Sequence, residues 1–270
     1  MVFIFIILTA ILASAYGALV GFGGGIFVIP VLVLAFHYPI ELAVGAVTLS
    51  LVPSSIITTL LNHKHGFVDY LTGIILEIPT IIGVIAGSLL VSLLPRTQLQ
   101  YVFVIAITIV GLTFFKKKRK EQGDSFIRRF NEKAPYHLKK NPDGSVMYKV
   151  NYILASFFGL LSGTLAGLLG VGGGFIKTPI MIKVFRIPAK IASGTALFMI
   201  IMTSLSSTVS HYLLGHVIWN YALPVVAGFI IGPFIASPLK KKISALHLEK
   251  LGGLSLLLAA ALMLVDLLVI

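Results

Sequence analysis

Gly21-Phe22-Gly23-Gly24-Gly25, followed by Pro30, recurs as Gly170-Val171-Gly172-Gly173-Gly174, followed by Pro179. The offset is 170 − 21 = 149, and the register then continues. Pro39 falls on Pro188, Ala43 on Ala192, Gly45 on Gly194, Ser55 on Ser204, Thr59 on Thr208, Gly66 on Gly215 and Gly83 on Gly232. Chance supplies single matches, but not a glycine run and two prolines in register. The chain reads as a duplicated unit, with repeats at 1–115 and 150–270 joined by a polar linker at 116–149.

Composition says what surrounds the repeats. Of 270 residues, 57% are apolar and only 11% charged, against about 25% charged in a soluble domain. One domain cannot hide that apolar excess, so lipid must cover much of the surface. The basic balance of 21 Lys and Arg against 9 Asp and Glu is therefore not read as a nucleic-acid footprint. Cysteine is absent, which removes disulfides, Cys-ligated zinc and thiol catalysis. Neither a cofactor nor a metal site is expected.

Each half reads as the same series of apolar segments: 2–20, 26–36, 42–61, 68–93 and 98–115, then 151–169, 175–185, 191–213, 217–239 and 247–268. A bilayer core of about 30 Å needs about 20 helical residues. The pieces after the glycines are half that length, so they are tolerated only where protein or a cavity covers them. Residues 2–20 are expected to be a structural helix rather than a leader, since 151–169 is their counterpart and no Lys or Arg precedes Lys64. The expected fold is an all-α polytopic integral membrane protein with about eight hydrophobic helices. Each half has a Gly-rich broken hairpin plus three transmembrane helices.

The remaining charge reports orientation. Residues 116–149 hold 11 of the 21 basic residues, and such a block is expected to be a solvated, mobile segment on the cytoplasmic side. If each glycine hairpin returns to its starting side, 20 of the 21 basic residues fall on that side. This count assigns Lys177 and Lys250 to their adjoining loops. If each hairpin is instead one broken crossing, only about 12 do. The returning hairpin gives each half an odd number of net crossings, so the halves are expected to be inverted.

Candidate site residues follow from the two repeated features. Three glycines opening a helix let several N–H groups converge at the positive end of its dipole, a setting that favours anions. Gly23, Gly24 and Gly25, with Gly172, Gly173 and Gly174, are therefore candidates for facing a central cavity; close helix packing is the bland alternative. Ser55, Thr58, Thr59 and Asn62 share one helix face, and Ser204, Ser207, Thr208 and His211 repeat it. Such stripes line polar paths or bond their own backbone. Lys177 follows the second glycine run by three residues and adds charge to an anion site, unless it snorkels. Glu77, deep in its segment, and His211 are candidates for coupling to protons; sodium is the other coupling ion considered. There are no paired carboxylates, no HExxH and no Ser-His-Asp set, so an enzyme is not expected.

The doubled GxGGG-then-Pro motif and the repeated segment layout resemble the sulfite exporter TauE/SafE family. The resemblance runs from the N-terminus to about residue 268, apart from the linker, which is longer and more basic than expected. It implies an inner (plasma) membrane permease for sulfite, thiosulfate or an organosulfonate, and carries the family glycines onto Gly21, Gly23, Gly24, Gly25, Gly170, Gly172, Gly173 and Gly174. The expectation is a secondary transporter binding a small anion between two inverted halves, with the lipid bilayer as its other partner. The alternatives are a channel-like pore or cation permease, which would want more acidic residues on the path than Glu77, and a membrane-embedded enzyme.

Overall fold

Both glycine runs interrupt a helix in the computed structural model, which describes residues 2–91, 93–115, 135–141, 145–170 and 172–269. The first half contains α1 (Val2–Val20), α2 (Gly25–Phe36), α3 (Ile40–His63), α4 (Tyr70–Val91) and α5 (Arg96–Phe115). The second contains α6 (Tyr152–Leu169), α7 (Gly174–Lys183), α8 (Ala189–Leu213), α9 (Trp219–Lys242) and α10 (Ala245–Val269). Gly24 and Gly173 precede the half-helices with φ of 103° and 69°, a left-handed backbone that L side chains rarely adopt. The Gly17 carbonyl accepts from the N–H groups of Gly21, Phe22 and Gly23 as the chain turns back. A Cβ at Gly24 would lie 2.7 Å from the Ala13 carbonyl oxygen. The half-helix α2 thus begins beside the body of α1 and not beyond its end.

Small residues set how the long helices pack. On α6, Gly159, Gly163 and Gly167 recur every fourth residue against Pro79, Thr80 and Val84 of α4; a Cβ at Gly163 would sit 2.1 Å from the Thr80 carbonyl oxygen. Both series climb together, so α4 and α6 run parallel with backbones in contact, as small-xxx-small packing permits. The same pairing joins α1 to α9, where Gly228 lies on Ala10 and Gly232 on Ser14 and Ala15. Each half therefore grips the other through equivalent helices.

The equivalent helices α3 and α8 pass one another in opposite directions. Gly45, near the start of α3, abuts the His216 carbonyl just past the end of α8; Gly194, near the start of α8, abuts the Phe67 carbonyl just past the end of α3.

Outward faces stay apolar, and Leu12, Ile78, Ile105, Phe157 and Leu258 are all more than half exposed. Among the described residues, seven helices are long and apolar enough to cross a membrane, with α2 and Lys250–Leu264 as shorter apolar stretches. The protein is an all-α polytopic membrane protein.

The described end of the linker departs from the expectation of a solvated, mobile segment. Residues 116–134 lie outside those described, but β1 (Tyr136–Lys140) and β2 (Val146–Asn151) form an antiparallel hairpin. Tyr148 and Val150 are buried in a cluster with Leu76, Phe185 and Ile187. The Tyr148 hydroxyl donates to Asp69 Oδ2, Thr72 Oγ1 donates to the same oxygen at 2.9 Å, and Lys139 Nζ lies 3.8 Å away. Burial alone would raise the Asp69 carboxyl, but these hydrogen bonds and the lysine charge outweigh it and hold the group below its ordinary value. The apolar, period-two side chains of β2 and the docking carboxylate order a stretch whose charge count suggested none. Asn151 then caps α6, accepting from the N–H groups of Ile153 and Leu154.

Candidate functional site

Glu77 and Lys177, 100 residues apart, meet in a buried ion pair. Lys177 Nζ donates to Glu77 Oε2 at 2.7 Å. Thr203 closes the group, accepting from Lys177 and donating to Glu77 Oε1. Glu77 is 3% exposed and Lys177 4%, so Lys177 does not snorkel and drops out of the orientation count. Three elements supply the three residues: α4 of the first half, then α7 and α8 of the second. Removing either charge would strand the other in a medium that solvates it poorly.

Position in the fold explains each side chain. Lys177 lies in the first turn of α7, its N–H bonded to the Gly173 carbonyl. Glu77 comes down from α4, on the helix held against α6 by the glycines. A small cavity, about one water in size, lies beside the pair. It is lined by Lys177, Thr80, Ser162, Gly159, Leu76 and Met199, among others.

The repeat supplies an internal control. Moved back by 149, Lys177 becomes Val28 and Thr203 becomes Ser54; moved forward, Glu77 becomes Val226. There the polar contact shrinks to Ser54 and Ser14 hydroxyls 3.2 Å apart, with Ser14 also donating to the Phe229 carbonyl. The scaffold packs without charge at this position in one half and carries an ion pair in the other.

The glycine runs converge at the centre of the molecule. A Cβ at Gly174 would lie 2.6 Å from the Gly21 carbonyl oxygen, which also accepts from the Thr178 hydroxyl at 3.0 Å. In this conformation Leu51 and its equivalent Ile200 fill the space beside Gly23 and Gly172. Gly23, Gly24, Gly25, Gly172, Gly173 and Gly174 are all buried, and neither α2 nor α7 has a side-chain cap for its first N–H groups. Packing and an open helix start are both present.

The polar stripes divide. Ser55 donates to the Val52 carbonyl, Thr58 to Ser54, Asn62 to Thr58 and Ser204 to Ile201, all on their own helices. Thr59, Ser207 and Thr208 carry buried hydroxyls without a partner among the described residues. Thr59 and Thr208 are equivalent across the repeat. His211 lies eight residues beyond Thr203, about 12 Å along the helix, and is not part of the ion-pair group. Its Nε2 lies 3.0 Å from the Gly167 carbonyl, which can only accept, so this nitrogen carries the proton; its Nδ1 faces His216 Nδ1 at 3.0 Å. Burial lowers His216, in the loop after α8, below the ordinary imidazole value, with the Glu41 charge opposing.

Sequence reasoning singled out Glu77 and Lys177 separately and missed Thr203. The signal was present, since both halves keep a hydroxyl there, Ser54 and Thr203, one position off the stripe.

Duplicated halves, interlocked broken hairpins and a buried polar group inside an apolar shell define a polytopic protein of transporter type. The sulfite exporter TauE/SafE family model matches residues 6–263. The chain belongs to this family, a family of membrane transporters. It is similar to the probable membrane transporter protein YunE of Bacillus subtilis, 28% identical over 90% of each chain. The probable membrane transporter protein YdhB of the same organism is 24% identical over 86% of this chain and 88% of its own. Sulfite exporter TauE/SafE family protein 3 of Arabidopsis thaliana is 34% identical over a shorter stretch, 33% of this chain and 18% of the relative. No solved structure matches significantly.

Proposed function

We propose that the protein is a secondary transporter of a small anion, a sulfur oxyanion such as sulfite or thiosulfate or an organosulfonate. It moves the anion across the plasma membrane by alternating access between two inverted halves. The observation that carries this reading is Lys177: a buried cation at the start of a half-helix, beside an internal cavity, on a glycine hairpin. A cation at the positive end of a helix dipole suits an anion. The unpartnered hydroxyls of Thr59, Ser207 and Thr208 are the stripe residues best placed to serve a polar path. Sulfur oxyanions are favoured because family and relative names point to sulfite export.

The antiparallel passage of α3 and α8 supports inverted halves, and with them a cytoplasmic linker by the positive-inside rule. Cysteines at Phe36 and Ile187 are expected to be labelled from opposite faces of the membrane; labelling from one face rejects the inversion. The function is tested by flux of labelled sulfite, thiosulfate and sulfoacetate into proteoliposomes. A folded protein that moves none of them overturns the reading.

A further inference from the structure

A cation meant for a substrate is already satisfied here by a carboxylate and a hydroxyl, and that arrangement has a mechanistic consequence. We propose that Lys177 exchanges partners during transport. The Glu77 carboxylate holds it in the empty protein, and the substrate anion takes its place when Glu77 binds a proton. This rests on the anion-transport reading and specifies how that site is coupled.

Three observations carry it. First, the equivalent position in the other half packs without an ion pair, with Val28, Val226 and Ser54 in its place. Second, an ammonium has three N–H donors, and among the described residues Lys177 has two acceptors, Glu77 and Thr203. It also lines the cavity, whose other hydroxyls, Thr80 and Ser162, donate to the Leu76 and Gly159 carbonyls. Third, Thr203 suits either protonation state. Its one hydroxyl proton points at Glu77 Oε1 when that group is a carboxylate, and the Met199 carbonyl at 3.2 Å is a second acceptor once Glu77 is protonated.

Charge counting then fixes the coupling. Carboxylate plus ammonium sum to zero; carboxylic acid plus ammonium plus a monovalent anion also sum to zero. An ammonium with neither partner leaves a bare positive charge in the membrane interior, the costly state. Proton and anion therefore enter and leave together, one for one, without net charge movement. The neighbours leave Glu77 as the group that titrates. Among the described residues, α7 presents Lys177 to it, α8 presents Thr203, and α6 presents no titratable side chain, its one tyrosine, Tyr152, lying exposed at the far start of that helix. Asp69, which precedes α4, is engaged by Tyr148 and Thr72, and His211 by Gly167 and His216.

The test uses the purified full chain in proteoliposomes with labelled methanesulfonate as the monovalent probe and thiosulfate as the divalent one. An inward proton gradient is expected to raise methanesulfonate uptake at least tenfold, with one proton entering per anion and no response to a clamped membrane potential. Thiosulfate uptake, carrying one uncompensated charge, is expected to respond to the potential. Glu77→Gln is expected to lose the gradient response while still exchanging internal for external anion, and Lys177→Gln to lose both. Wild-type flux indifferent to the gradient, or a Glu77→Gln protein that keeps its response, overturns the exchange and leaves anion transport standing. Absence of flux for both probes overturns the exchange, and absence of sulfite and sulfoacetate flux as well overturns anion transport with it. Where a variant does not fold, the proton-to-anion ratio of the wild type decides alone.

Discussion

The two glycine hairpins are the same structure with different chemistry. Both break a helix at left-handed glycines, both start a proline-containing half-helix, and both lie against Leu51 and Ile200. Around the first stand Val28, Val226 and Ser54; around the second stand Lys177, Glu77 and Thr203. The shared features are what the fold needs. The unshared ones add a buried ion pair to that frame, at the energetic disadvantage of burying two charges.

The largest effect should come from breaking that asymmetry one charge at a time. Lys177→Met leaves Glu77 buried without its partner and is expected to cost about 3–5 kcal/mol of stability. Adding Glu77→Leu to it should return stability to within about 1 kcal/mol of the parent, because the packing is apolar in the other half. Denaturation of the detergent-solubilised single and double variants checks this; a double variant as unstable as the single would mean that the pair is structural.

Glycine substitutions should show the opposite behaviour, equal in the two halves. Gly83→Ala and its equivalent Gly232→Ala would place a Cβ 2.4 Å from the Leu160 carbonyl oxygen and 2.6 Å from the Ala15 nitrogen. Each should cost about 1–3 kcal/mol by overpacking, with losses in thermal stability of similar size. A large inequality would show that the two parallel helix pairs are not equivalent supports.

The docked linker hairpin is a second asymmetry, since Ile218 stands at the position equivalent to Asp69. The folded Asp69 carboxyl sits below its ordinary value. Its contribution is therefore present above about pH 4, the unfolded value, and is lost as pH falls through the lower folded one. Tyr148→Phe is expected to reduce stability at pH 6 by about 1–2 kcal/mol and to flatten the loss between pH 5 and 2. Parallel acid titrations of the two proteins read both effects.

The smallest effect is expected at Thr59 and Thr208, whose hydroxyls have no partner among the described residues. Replacing either with Val should leave stability unchanged or raise it by less than about 1 kcal/mol. Anion flux should still fall if the stripe lines the path. Unequal flux defects would show which half the anion leans on.

Much of the fold was legible because apolar run length and glycine position are local properties. The segment 2–20 matches α1, 26–36 falls one residue short of α2, and 191–213 misses only the first two residues of α8. Pro39 and Pro188 fix the starts of α3 and α8, since each lies at the N-cap and its carbonyl accepts from Ala43 and Ala192. The linker hairpin was less legible. Val146, Tyr148 and Val150 alternate after Asn141-Pro142-Asp143-Gly144, a strand-and-turn signal masked by the count of lysines around it. Ser55, Asn62 and Ser204 read as a polar stripe, but whether each hydroxyl or amide turns to a cavity or to its own backbone is a rotamer choice made by the neighbours.

By itself the sequence determined a duplicated, lipid-embedded helical chain with two glycine-broken hairpins, because repeat register, hydropathy and backbone freedom are written residue by residue. The tertiary structure decided that Glu77 and Lys177 are partners, that Thr203 joins them and that His211 does not. Those outcomes depend on which helices lie together, here α4 on α6 through interlocking glycines, and a contact across 100 residues has no local signature in the chain.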